Sequence, residues 1–127
     1  MTAQFNHTIV HARDKAASAR FLTQILGLPE ARPFGHFLVV ELSNGVSLDF
    51  VETTEAITPQ HYAFLVDEAD FDAICTRIRD RGIAFWADPG RCLPSEINHH
   101  DGGRGVYFAD SDGHYLEAIT RRYGHCG

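Results

Sequence analysis

A quiet internal repeat limits the folds open to this chain. Asn44-Gly45-Val46-Ser47-Leu48-Asp49 returns half a chain later as Asp112-Gly113-His114-Tyr115-Leu116-Glu117. Each copy reads as a two-residue turn feeding a strand that reaches a Leu and then a carboxylate. Upstream of each copy lies a strand with an early histidine. These are Phe5-Asn6-His7-Thr8-Ile9-Val10 and Gln60-His61-Tyr62-Ala63-Phe64-Leu65-Val66. His7, Asp49, His61 and Glu117 are therefore four metal-ligand side chains in two matched pairs. A packed core needs none of them.

The pattern around these residues predicts the elements. Alternation gives a strand over 4–10, with His7 and Ile9 on one face. Asp14 reads as an N-cap, and Ala17, Phe21, Leu22, Ile25 and Leu26 form a helical stripe that Gly27 and Pro29 stop. Strands near 30–34, over 36–42 and over 45–52 complete the first half. The second half repeats the plan. A strand over 61–66 precedes a helix capped by Asp70, with Phe71, Ile74, Cys75 and Ile78 inward and Gly82 at its end. Strands over 83–86, 105–110 and 114–120 follow, and His114, at the head of the last hairpin, is expected to face water. His7 and Asp49 lie 42 positions apart, His61 and Glu117 56 apart. The 14-residue excess falls in a loop from Ala87 to Gly103, and a loop of that length is more often functional than idle. The expected fold is α+β: two tandem βαβββ modules, about 4–52 and 60–120, in a single domain over 1–127. Their half-sheets are expected to curl around a central cleft.

Composition narrows the function. The net charge of −6 disfavours nucleic acid or an anionic membrane as partner. Arg77, Arg79 and Arg81 read as a solvated helix face. No apolar run approaches the roughly 20 residues that span a bilayer, and Met1 to Phe5 carries no signal-peptide pattern. Cys75, Cys92 and Cys126 are odd in number and form no CxxC pair, which points to a reducing, cytoplasmic setting. The tail from Tyr123 is expected to fray.

His with carboxylate suits Fe, Mn, Co, Ni or Zn, and the lack of Cys ligands argues against a structural zinc site. Glu117 stands out because it lies mid-strand between Leu116 and Ala118, where an unpaired carboxylate is costly. The duplicated plan, His7, Gln60-His61-Tyr62 and the stretch from Gly105 to Glu117 resemble the vicinal oxygen chelate superfamily. This is the glyoxalase, bleomycin-resistance and extradiol-dioxygenase group. Gly105-Val106-Tyr107-Phe108-Ala109-Asp110-Ser111-Asp112-Gly113-His114-Tyr115-Leu116-Glu117 resembles its terminal hairpin motif, with Ser111 where Pro is usual. The resemblance implies a glyoxalase-like fold, with His7, His61 and Glu117 as ligands of a divalent metal. Asp49 stands where glyoxalases hold a fourth ligand, one methylene shorter than the usual Glu, and is either a ligand or base or a group behind the ligands. His99 and His100 in the long loop are candidate proton shuttles. Arg104, Asn98, Tyr107 and Tyr115 are candidate substrate contacts, while the alternative for the loop is that Asn98 and Asp101-Gly102-Gly103 only shape a turn.

The implied function is a metal-dependent small-molecule enzyme, ring-cleaving dioxygenase-like or glyoxalase (lyase)-like, that binds neighbouring oxygens of its substrate. The alternative is a metal-free protein that sequesters a ligand in the bleomycin-resistance manner. A homodimer is expected, because two half-sheets leave edges and apolar faces to cover. The resemblance adds that His7 of one chain often joins His61 and Glu117 of another.

Overall fold

Each half of the chain builds the same unit. In the computed structural model, which describes residues 1–124, the first unit (Met1–Thr58) runs β1 (His7–Ala12), α1 (Lys15–Leu26), β2 (Arg32–Phe34), β3 (Phe37–Glu41) and β4 (Ser47–Glu52). The second (Pro59–Gly127) runs β5 (His61–Leu65), α2 (Glu68–Asp80), β6 (Phe85–Trp86), β7 (Gly105–Ala109) and β8 (Tyr115–Ile119). The sheets have strand orders β1-β4-β3-β2 and β5-β8-β7-β6. In each, the first strand lies parallel to the last and the other pairs are antiparallel. The fold is α+β with two βαβββ modules, as the repeat predicts. Cys126 lies outside the described residues, as does the end of the tail expected to fray.

Period two sorts the strand residues. In the first unit Val10, Ala12, Val40, Leu48 and Phe50 are buried, and α1 packs on β1, β3 and β4. The Asp14 carboxylate accepts the Ala17 N–H at 3.1 Å, and Gly27, at φ 73°, closes the helix. The buried arc of α1 centres on Leu22, with Ala19 and Ile25 beside it. Ala17, expected in the apolar stripe, is exposed, because it sits about 140° around the helix from Leu22 at roughly 100° per residue.

In the second unit Phe71, Ile74, Cys75 and Ile78 are buried as expected, along with Phe64, Val106, Phe108, Leu116 and Ala118. The cap of α2 is Asp67, not Asp70. The Asp67 carboxylate accepts the Asp70 N–H at 2.7 Å, so Asp70 is the third residue of the helix rather than its cap. Acids at 68 and 70 then face the positive end of the helix dipole. His114 corrects another expectation. It is 1% exposed, because it shares the strand face of Leu116 and Ala118. Its Nδ1 accepts the Gln60 N–H at 3.0 Å, and its ring meets Tyr62 edge-on.

The long loop is tied down. Trp86 bridges Pro94, Asn98 bridges Gly105, and a 3-10 turn spans His100–Gly102. Asn98 is 8% exposed. Its Nδ2 donates to the Ala87 carbonyl at 2.8 Å and its Oδ1 accepts the His100 N–H at 3.3 Å. A Cβ at Gly105 would sit 2.8 Å from that Oδ1, so the close approach requires glycine. Asn98→Ala leaves the Ala87 carbonyl without this partner. It should lower unfolding free energy by about 1–3 kcal/mol in a urea titration while metal uptake stays at the wild-type level.

Candidate functional site

The face of each sheet away from its helix carries the repeat's polar residues. Ile9 pairs with Asp49, and His7 stands two residues before Ile9. Ala63 pairs with Glu117, and His61 stands two residues before Ala63. The two His–acid pairs therefore have the same offset in the two sheets. This face carries Ile9 and Tyr115 at 45% and 41% exposure, and His7 and His61 are exposed on it too.

The second unit brings two expected ligands together. His61 Nε2 lies 3.0 Å from Glu117 Oε1. His61 Nδ1 lies 3.2 Å from the Tyr115 carbonyl. The carboxylate and the carbonyl both only accept, so the single proton of a neutral imidazole serves one contact and leaves a lone pair facing an acceptor at the other. A cation beside Nε2 would relieve that conflict. Glu117 is fully buried, and its Oε2 has no hydrogen-bond partner. A lone-pair nitrogen, an unpartnered carboxylate oxygen and a backbone-tethered imidazole fit a divalent cation well.

Tyr107 completes this face. It pairs with Glu117 across the strands, and its ring stacks on His61 at 6.2 Å between centroids. Burial, then the adjacent Glu117 carboxylate, pushes its phenol well above the ordinary tyrosine range. Tyr107 therefore stays protonated at neutral pH, and its oxygen lies 2.8 Å from that of Tyr123.

The first unit carries the other pair in a more open setting. His7 Nδ1 donates to Asn6 Oδ1 at 2.7 Å, leaving Nε2 as the lone-pair nitrogen. Asp49 is half-buried and accepts the Ser47 hydroxyl at 2.9 Å. Both border a concavity of about 470 Å³ that Phe34, Phe37 and Val39 also line. Among the described residues no three His, Cys, Asp or Glu side chains gather at one point. The assembled set is His61 with Glu117.

The other candidates divide. Tyr115 lies on the face of Glu117, next to His61 through strand pairing. His99 and His100 are exposed, and among the described residues neither imidazole makes a hydrogen bond or ion pair. Asn98 spends its side chain on the loop's backbone, the turn-shaping alternative. Arg104, expected to grip substrate, is turned to the helix side. Its Nε and Nη1 pair with Glu68 and Asp72 of α2 at 2.8 Å each, and its guanidinium covers Phe71. The reason is parity, since residue 104 shares a face with buried Val106 and Phe108. Sequence reasoning missed Arg91. Its guanidinium sits 5.0 Å from the Trp86 ring centre and 4.7 Å from that of Tyr115. The available signal was Asp88-Pro89-Gly90, a turn signature that folds the next residue back over β6.

Known proteins resemble the chain throughout its length. A sequence profile described as Glyoxalase/Bleomycin resistance protein/Dioxygenase superfamily matches residues 4–118. Glutathione transferase FosA of Serratia marcescens is 28% identical over 123 residues, 92% of this chain and 80% of that protein. The solved structure of oxidase ChaP-H2 is 61% identical with a TM-score of 0.97, covering 100% of both chains. Oxidase ChaP-H1 is 58% identical with a TM-score of 0.96, covering 98% of this chain and 100% of its own.

Burying an acid with one oxygen unpartnered carries a cost that a bound cation would offset. In metal-free protein, Glu117→Met should therefore raise unfolding free energy by about 1–3 kcal/mol. The wild type should gain thermal stability on adding Fe(II), Mn(II) or Zn(II), and the variant should gain none. Calorimetric scans with and without metal measure both effects.

Proposed function

Because the chain belongs to the Glyoxalase/Bleomycin resistance protein/Dioxygenase superfamily, we propose that it is a metal-dependent oxidase of the vicinal oxygen chelate type. Its substrate is a small organic molecule with two neighbouring oxygens. The observation that carries the metal is the buried Glu117 carboxylate, one oxygen against His61 Nε2 and the other without a partner. Oxygen chemistry is supported over lyase chemistry by identity near 60% to two oxidases across nearly the whole chain.

His61 and Glu117 are two ligands, and His7, with its Nε2 likewise left as a lone pair, is the third, supplied by a second copy of the chain. A bound divalent ion supplies Lewis acidity, and Fe or Mn also supplies access to dioxygen. The chain's own groups do the rest. The Tyr115 carbonyl holds the His61 imidazole in the tautomer that presents Nε2. The Tyr107 phenol, kept protonated, donates to an anionic oxygen of the substrate. Asp49 has one oxygen engaged by Ser47, and its other oxygen accepts a substrate proton.

Metal analysis of the purified protein tests this reading. Fe or Mn is expected near one per chain, with oxygen uptake on ortho-dihydroxy or ortho-hydroxyketo aromatic compounds. His61→Ala should abolish both. Mixing His7→Ala with His61→Ala should restore about a quarter of the sites, because random pairing gives half heterodimers with one intact site each. Zn or Ni with no oxygen uptake would favour a lyase. Wild-type protein that takes up no metal would leave the ligand-sequestering alternative.

A further inference from the structure

We propose that Arg91 is the anion-binding subsite of this face, taking a carboxylate or phenolate oxygen of a planar ligand beside His61 and Glu117. The inference deepens the reading above by naming a substrate class.

The guanidinium is positioned rather than free to sweep. It lies over the Trp86 and Tyr115 rings, at 5.0 and 4.7 Å from their centres. Trp86 pairs with Tyr107, and Tyr115 pairs with His61, so both rings belong to the strand face of the candidate metal ligands. Ring contacts of this kind engage the cation without using its N–H donors in hydrogen bonds. Among the described residues no carboxylate comes within ion-pair distance of Arg91. Arg104, by contrast, has both an aromatic ring and two acids. In a chain of net charge −6, a fixed cation with an unoccupied donor rim fits an anion from outside.

The backbone is shaped to hold it there. Arg91 has φ 59°, a left-handed conformation that a long side chain adopts at a cost. The Asp88 carboxylate secures it by accepting the Cys92 N–H at 3.0 Å and the Leu93 N–H at 2.8 Å. The Ala87 N–H bonds the Leu93 carbonyl at 3.0 Å, and Trp86 bridges Pro94. Those donors hold the Asp88 carboxyl below the usual carboxylate range, so the clasp stays charged.

Trp86 is the chain's one tryptophan, so its fluorescence reports the subsite directly. Benzoate and benzamide are planar probes of the same shape that differ in charge. Both should be titrated into the full chain, first with metal removed by chelation and then with metal restored. Benzoate should change Trp86 emission saturably in both states, and its affinity should fall with added salt. Arg91→Gln should weaken it roughly tenfold or more, with unchanged thermal stability and metal content. Benzamide should bind weakly to both proteins. Equal affinity for the two probes overturns the proposal, as does full benzoate affinity in Arg91→Gln. Benzoate binding that requires metal and ignores Arg91 also overturns it. His61→Ala separates the two readings, because it should lose metal and keep the Arg91-dependent benzoate response.

Discussion

A carboxylate that water does not reach has to be answered by something positive, and Glu117 is that carboxylate. Its strand, β8, is hydrogen-bonded on both sides, by β5 and β7, so its backbone cannot turn the side chain out. His61 covers one oxygen, and Tyr107 stacks on the covering imidazole. An isolated buried charge costs several kcal/mol or more. The contact with His61, and a cation that would sit beside the unpartnered oxygen, are the means this face offers of offsetting that cost. The raised Tyr107 phenol belongs to the same setting, because burial first, and then the Glu117 carboxylate beside it, oppose a negative charge there.

The two units meet this constraint differently. Their His–acid offsets agree, yet Glu117 is sealed and Asp49 is half-open, with Ser47 supplying a hydroxyl in place of a second imidazole. The shorter aspartate side chain keeps its carboxylate closer to its own strand. A duplicated frame therefore yields one His–acid pair with a buried carboxylate and one half-open acid.

Strand parity made much of this legible in the sequence. The faces of His7, Asp49, His61 and Glu117 follow from period two, and the buried stripe of α2 follows from the helical period. The same rule applies to Arg104 and His114, whose parity with Val106 and Leu116 turns them to the helix side. Nearness to the loop and the turn points both toward solvent or substrate, but parity prevails. Asp70 suits a cap by residue type, but the reach of the Asp67 carboxylate to the Asp70 N–H sets the start of α2. Asn98 and Arg91 lie in a loop without period, where direction depends on particular turns. Their orientation rests on hydrogen bonds that the Asn98 amide makes and the Asp88 carboxylate accepts, which no spacing rule supplies.

The placement of the 14-residue excess between β6 and β7 has a physical logic. Lengthening a surface loop costs little, about 0.6 kcal/mol per doubling, whereas moving a strand residue by one position inverts its face. A side chain whose direction must be fixed is therefore better placed on a paired strand, and length variation is better placed in the loop. This loop is nonetheless not slack. Asp88 clasps its first turn, and Asn98 joins its second part to Ala87 and Gly105. Neither clasp touches His61 or Glu117. The rigidity that places Arg91 over Trp86 and Tyr115 is thus supplied separately from the groups that would hold a metal.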